Sequence, residues 1–291
     1  MIKKVLICGL GALGLTYANK LKNICELKIL ANIERIEKYT KKPPIFNNEE
    51  LNLNYITPDK YWAPDLIIIS TKSTGLNSAL EYLKNFVTPN AIIISLINGI
   101  SSEEIISKAY PKAKTLRSYF IGHSAIRENG KTIQDGIGKI VLETNEDLES
   151  FFKKNNIDYE ISNNIIYSQW LKLGVNIILN EPSAIYECTV GELRKRHDYL
   201  ELAHNLIKEV KTIAQASGVK NLENYEKEVL NSANLIADTG KTSMYQDVLS
   251  KRKTEIDIFS GEIIRLGKKY QISTPVNETM YNLIKEKEQK F

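Results

Sequence analysis

Short unbroken apolar runs alternate with helically spaced ones through the first half of the chain, and the unbroken runs end near Ser162. Ile2 to Cys8 is aliphatic and β-branched and closes at Gly9, which predicts a parallel strand buried on both faces. Ala12 to Leu21 has helical apolar spacing, and Glu26 to Leu30 reads as a second strand. Leu66 to Ile69 and Ile92 to Ile94 are further apolar strands, with a helical stretch from Leu76 to Phe86 between them. This alternation predicts an α/β fold with a parallel sheet covered on both faces. From Lys114 to Glu143 short β-like pieces are split by Glu128-Asn129-Gly130 and by Asp135-Gly136-Ile137-Gly138, and are expected as hairpin additions to the sheet edge. Helical periodicity then covers 164–179, 199–217, 222–237 and 244–270, with a last helix over 281–290. The expected organisation is an α/β domain over 1–165 and an all-helical domain over 166–291.

The junction of the first strand and helix carries chemistry. Gly9-Leu10-Gly11-Ala12-Leu13-Gly14 fits G-x-G-x-x-G in the context that gives this motif meaning. The first glycine permits the turn, the second lets the backbone approach a pyrophosphate, and the third lets helix and strand pack closely. The helix N-terminus adds N–H groups and a positive dipole end. The first domain is therefore read as Rossmann-type and dinucleotide-binding. The alternative is a strand–helix turn that is merely glycine-rich. At the end of the second strand the chain runs Leu30-Ala31-Asn32-Ile33-Glu34-Arg35. No carboxylate stands at the tip, and Arg35 and Lys38 could serve a 2′-phosphate or simply face solvent, so NADP is favoured over NAD.

Composition narrows the partners. The chain has 291 residues, with 39 basic and 35 acidic side chains and a net charge of +4. The charges divide 21 basic to 18 acidic up to residue 165, and 18 to 17 after it, so no half forms a basic face for nucleic acid. Cys8, Cys25 and Cys188 follow no metal-ligand spacing, and His123, His197 and His204 are scattered, which argues against a metal site or disulfide framework. A cytoplasmic location is expected. Met1-Ile2-Lys3-Lys4 before an apolar run imitates a signal peptide, but Gly9, Gly11 and Gly14 interrupt that run at the dinucleotide spacing. No apolar stretch of about 20 residues is present to span a membrane.

The second domain opens on Trp170-Leu171-Lys172-Leu173-Gly174-Val175-Asn176-Ile177-Ile178-Leu179-Asn180. Lys172, Asn176 and Asn180 stand at i, i+4 and i+8, on one side of a helix. Among such apolar neighbours the stripe is expected to face a pocket or partner, since a buried Lys is rare unless paired or functional. A solvated stripe is the alternative. Thr242-Ser243-Met244 resembles a helix start, and that helix is expected to continue through Arg252, Thr254, Glu255, Ile256 and Asp257. Ile256, Phe259, Ile263 and Leu266 form its expected core stripe, with Glu255 at the edge.

Together these motifs resemble the ketopantoate reductase family. The resemblance covers nearly the whole chain: the glycine turn, Thr71-Lys72 and Asn98-Gly99 after two strands, Trp170-x-Lys172-x-x-x-Asn176-x-x-x-Asn180, Ser243-Met244-x-Gln246-Asp247 and Thr254-Glu255-Ile256-Asp257. It implies NADPH-dependent reduction of 2-dehydropantoate, a small keto acid, to (R)-pantoate on the way to pantothenate and coenzyme A. It implies Lys172 as catalytic acid, and Glu255 as the residue that holds the substrate hydroxyl or orients Lys172. Asn98, Asn176, Asn180 and Ser243 are implied substrate contacts. The cofactor would meet Gly9 through Gly14, Asn32, Arg35, Lys72, Asn98 and Glu255. Some family members carry substrate-contacting Asn residues where this chain has Val190 and Gly240, which opens the substrate to another 2-keto acid or a β-hydroxy acid. A non-catalytic NADP(H) sensor is the reading from a different class, and Lys172, Asn176 and Glu255 together argue against it. A homodimer fits the apolar stripes of the helical half, which packing within one chain explains equally.

Overall fold

In a computed structural model, residues 1–122, 126–128, 131–133, 136 and 138–291 are described. His123 and the turn residues Asn129, Gly130, Asp135 and Ile137 lie outside the described residues. The chain divides into Met1–Ile165 and Ile166–Phe291.

The first unit is built on a six-stranded sheet, every neighbouring pair parallel. In spatial order its strands are Tyr55–Ile56, Glu26–Leu30, Lys4–Cys8, Leu66–Ile69, Ile92–Ser95 and Lys114–Leu116. Chain order reverses between Lys4–Cys8 and Leu66–Ile69, the crevice where doubly wound sheets bind ligands. Val5, Leu6 and Ile7 are 0% exposed, as are Leu66, Ile67, Ile68 and Ile69. Successive side chains point to opposite faces, so both faces of the sheet are covered. Helix Ala12–Leu21 buries Leu15, Tyr17, Ala18 and Leu21 in the same core. The initial apolar run is thus the first strand and helix of a Rossmann-type unit.

The region from Lys114 to Glu143 differs from its expectation. Lys114–Leu116 is the parallel edge strand of the main sheet. Ser118–Ile121 pairs antiparallel with Lys139–Leu142, which pairs in parallel with Tyr159–Ile161 in a separate three-stranded sheet. Ile126–Glu128 and Lys131–Ile133 do form an antiparallel pair, but in a third sheet with Ile45–Phe46 and Glu49–Glu50. Short alternating strands signal pairing without naming the partner, because the partner is chosen by contacts distant in sequence.

The second unit is helical. Its first helix, Ile165–Tyr186, extends past the expected end and includes Pro182. Proline removes one helical N–H and costs about 3 kcal/mol in an interior, which is why it reads as a stop. Here the helix runs through it, and Ser183 and Ala184 beyond it are fully buried. The helices Tyr199–Ala216 and Tyr225–Asn234 follow. The single helix expected over 244–270 is two: Ser243–Leu249 and Ser260–Tyr270, with a 3-10 turn at Ile256–Ile258 between them. Lys251 takes a left-handed conformation, φ 50°, and Arg252 N–H donates to Asp247 O, turning the chain out of the first helix. Ile256, Phe259, Ile263 and Leu266 are nevertheless all buried, so the apolar period continued where the helix did not. The last helix, Pro275–Glu288, starts earlier than expected, with Pro275 in its first turn.

Candidate functional site

In the first unit three segments follow the carboxyl ends of three adjacent parallel strands: Gly9–Gly14, Thr71-Lys72 and Asn98-Gly99. Gly9 has φ +106°, and a Cβ there would stand 2.7 Å from Thr71 N and 2.8 Å from Ser70 C. A Cβ on Gly14 would stand 1.9 Å from Gly9 O. Both glycines are demanded by the protein's own packing. Gly11 is different: its nearest neighbour would be Ser70 O at 3.7 Å, an ordinary contact. The fold leaves space beside Gly11 that a side chain could occupy.

Helix Ala12–Leu21 begins at Gly11 with no side-chain cap and no acidic residue in its first turn. Helix N-termini present unsatisfied N–H groups, so this one is open to an anion. Ser70 Oγ donates to Gly9 O at 2.8 Å and holds the turn against the next strand. Thr71 Oγ1 is buried with no hydrogen-bond partner, the kind of polar atom that a ligand satisfies. Lys72 is exposed and Asn98 half-buried. The residues present therefore fit a dinucleotide phosphate cradle. Beneath it, burial pushes the Cys8 thiol up to about 12, so this cysteine is an inert core residue.

At the tip of the second strand, Asn32 caps helix Ile33–Lys41. Its Oδ1 accepts from Arg35 N–H at 3.1 Å, and its Nδ2 donates to Glu34 Oε2 at 2.8 Å. Arg35 and Lys38 are exposed. This helix was invisible to apolar periodicity because it buries no residue.

In the second unit Lys172, Asn176 and Asn180 share one face of Ile165–Tyr186, with Lys172 and Asn176 half-buried and Asn180 buried. Asn180 Nδ2 donates to Asn176 Oδ1 at 3.3 Å. Asn180 Oδ1 accepts from Ser243 Oγ at 3.0 Å and from Met244 N–H at 3.3 Å. The start of helix Ser243–Leu249 is also capped by Thr242, whose Oγ1 accepts from Tyr245 N–H at 3.3 Å and lies 2.7 Å from Ser183 Oγ. Ser243 itself is exposed. The result is a row of amide, amine and hydroxyl groups over an apolar base of Leu173, Ile177 and Ile178.

Glu255 departs from its expected place on a helix edge. It precedes the 3-10 turn Ile256–Ile258 and is half-buried. Its segment is tied at both ends. Thr254 N–H and Oγ1 both donate to Glu288 Oε1, each at 2.7 Å. Ser260 N–H donates to Glu181 Oε1 at 2.9 Å. Tyr281 and Lys285 bind Asp257 between them, at 2.8 and 2.9 Å.

Comparison with known proteins bears on both units. The family model described as ketopantoate reductase PanE/ApbA matches residues 5–147, and its C-terminal companion, ketopantoate reductase PanE/ApbA C terminal, matches 164–288. The chain belongs to the ketopantoate reductase family. A 2-dehydropantoate 2-reductase of Pyrococcus horikoshii is 28% identical over 297 residues, covering 98% of this chain and 97% of that one. Two solved structures share the fold. One is a ternary structure of D-mandelate dehydrogenase with NADH and anilino(oxo)acetate, TM-score 0.87, 24% identical, 99% of each chain covered. The other is a dimeric ketopantoate reductase of Staphylococcus aureus, TM-score 0.81, 21% identical, covering 98% of this chain and 99% of that one. The protein is accordingly an oxidoreductase of this family.

In this chain Val190 and Gly240 prove to be neighbours: Val190 N–H donates to Gly240 O at 3.0 Å. Val190 is fully buried, and a Cβ on Gly240 would meet Ala237 O at 2.9 Å. Other supporting residues were missed by sequence reasoning. A Cβ on Gly174 would stand 2.6 Å from the Tyr225 hydroxyl, which donates to Trp170 O at 2.7 Å. Gly174 thus lets Tyr225 reach the turn of helix that carries Lys172. Its signal, one glycine in an apolar helix, was present but pointed to no partner. Among the described residues no group of three or more His, Cys, Asp or Glu is placed to hold a metal. No helix among them is long and apolar enough to cross a membrane.

Proposed function

We propose that this chain reduces 2-dehydropantoate to (R)-pantoate with NADPH, in the cytoplasmic supply of pantothenate, with Lys172 as general acid. The observation that carries the reading is the row Lys172, Asn176 and Asn180 with Ser243 bound to its end through Asn180 Oδ1. Gly9 through Gly14 with Thr71, Lys72 and Asn98 would hold the dinucleotide, the open space at Gly11 admitting its pyrophosphate. Arg35 and Lys38 beside Asn32 would receive a 2′-phosphate.

When bound, the dinucleotide supplies a hydride to the ketone carbon. The ammonium of Lys172 stabilises charge gathering on the ketone oxygen and transfers a proton from Nζ to it. Asn176 orients the substrate with a neutral amide that leaves the Lys172 charge intact. Asn180 sets the position of Ser243, whose hydroxyl meets the substrate carboxylate. Glu255 holds the substrate hydroxyl or orients Lys172. For assembly a homodimer is proposed, supported by the dimeric relative of the same fold.

A steady-state assay with 2-dehydropantoate, run separately with NADPH and NADH, tests substrate and cofactor together. NADPH oxidation dependent on 2-dehydropantoate is expected; silence with that substrate overturns the reading. A second substrate class is raised by Val190 and Gly240, which stand where some family members carry substrate-contacting Asn residues. It is a less polar 2-keto acid, in keeping with the D-mandelate dehydrogenase likeness. A higher kcat/KM on an aromatic keto acid than on 2-dehydropantoate would select it.

A further inference from the structure

Glu181 follows Asn180 on the helix Ile165–Tyr186 and is 0% exposed. Among the described residues no cation pairs with it; its partners are Ser260 and, through Ser260, Asn277. Ser260 N–H donates to its Oε1 at 2.9 Å. Ser260 Oγ lies 2.6 Å from its Oε2 and 2.9 Å from Asn277 Oδ1.

Those two distances pose a proton count. A hydroxyl carries one hydrogen, so it can donate to Glu181 or to Asn277 but not to both. The Asn277 amide cannot turn round to help. Its Nδ2 donates to Glu209 Oε2 at 2.7 Å, and Glu209 also accepts from Val276 N–H at 2.9 Å and Asn277 N–H at 3.0 Å. Glu209 is half-buried and caps helix Pro275–Glu288, where a carboxylate is favoured. With Glu209 as the carboxylate of that cap, the chain of donors closes with a proton on Glu181: Oε2–H donates to Ser260 Oγ, Ser260 O–H to Asn277 Oδ1, and Asn277 N–H to Glu209.

We propose that Glu181 is held as a neutral carboxylic acid, and that through Ser260 it is the positioning residue that fixes the segment bearing Glu255 to the helix bearing Lys172, Asn176 and Asn180. Burial supports this, pushing the carboxyl up to about 8 and outweighing the hydrogen bonds that Ser260 would donate to the ionised form. The groups facing Glu181 are Ser260 of helix Ser260–Tyr270 and Asn277 of Pro275–Glu288, with Glu209 of Tyr199–Ala216 behind Asn277. Glu255 lies five positions before Ser260 and its segment is pinned at the other end by Thr254 to Glu288. Releasing one pin frees the segment.

The effect of Glu181 on catalysis rests on the reduction proposed above; its protonation and its tether do not. Three measurements on the full chain separate them. Infrared difference spectra of wild type and Glu181→Gln should show a protonated-carboxyl C=O band at neutral pH that the variant lacks. A folded-state value above the unfolded one means stability is lost as pH rises, over the window from the unfolded value near 4.5 to about 8. Glu181→Gln, which reproduces the donor and acceptor pattern of the neutral acid, should therefore gain in Tm relative to wild type across that window. Amide exchange over 254–258 should be unchanged in Glu181→Gln and faster in Glu181→Ala. If the C=O band is absent, or Glu181→Gln loosens the segment as Glu181→Ala does, the proposal falls. In turnover, Glu181→Gln should keep kcat, while Glu181→Ala loses roughly 10²-fold in kcat with a smaller change in KM. Normal kcat in Glu181→Ala overturns the positioning role. No turnover by wild type on any keto acid defeats the reduction reading and leaves the spectroscopic and exchange results to judge Glu181.

Discussion

Asn180 Oδ1 accepts from Ser243 Oγ at 3.0 Å, joining residues 63 positions apart. The same oxygen accepts Met244 N–H, so one side-chain carbonyl anchors the first turn of helix Ser243–Leu249. Asn180 is thereby a structural partner of Ser243 as well as a proposed substrate contact. Replacing it by Ala leaves a buried N–H without an acceptor, which costs about 1–3 kcal/mol. Asn180→Ala should lower unfolding free energy by that amount in urea titration, and raise KM for the keto acid.

Lys172→Ala should leave dinucleotide binding intact, because the cradle residues lie in the first unit. Loss of a positioned acid removes roughly 10²–10⁴-fold in rate. Single-turnover kinetics alongside cofactor titration will check both. Near-normal kcat would show that the proton comes from elsewhere.

The glycines of the turn should separate by role. Gly14→Ala places a Cβ 1.9 Å from Gly9 O, so loss of stability or of folded protein is expected. Gly11→Ala meets only an ordinary contact at 3.7 Å, and its Tm should stay close to wild type. Its cofactor Kd should nevertheless rise, since the methyl enters the space proposed for the pyrophosphate. Equal affinity in Gly11→Ala and wild type would place the phosphates elsewhere.

Gly174→Ala drives a methyl to 2.6 Å from the Tyr225 hydroxyl and 3.0 Å from Val229 Cγ2. Overpacking of this kind costs about 1–3 kcal/mol, which outweighs the better helix propensity of alanine. A fall in Tm is expected. The double variant Gly174→Ala, Tyr225→Phe should recover part of it by removing the hydroxyl.

Much of the fold could be read along the chain because its signals are local. Fully buried parallel strands need consecutive apolar residues, so Val5–Ile7, Leu66–Ile69 and Ile92–Ile94 declared themselves. The glycine motif declared the strand–helix turn, and an i, i+4, i+8 spacing put Lys172, Asn176 and Asn180 on one face. The helix Ile33–Lys41 escaped because it buries nothing, and the break between Leu249 and Ser260 because its apolar period runs through it.

By itself the sequence determined the two-part organisation, the glycine-rich strand–helix turn and the identity of the polar row, since backbone sterics and periodicity set these within a few turns of chain. Only tertiary structure decided the rest. It chose the partners of the short strands, set Val190 beside Gly240, and moved Glu255 from a helix edge to a pinned segment. It also joined Glu181 to Ser260, 79 residues away. Contacts between residues so far apart are chosen by packing and hydrogen-bond satisfaction among buried groups, which leave no periodic trace in the chain.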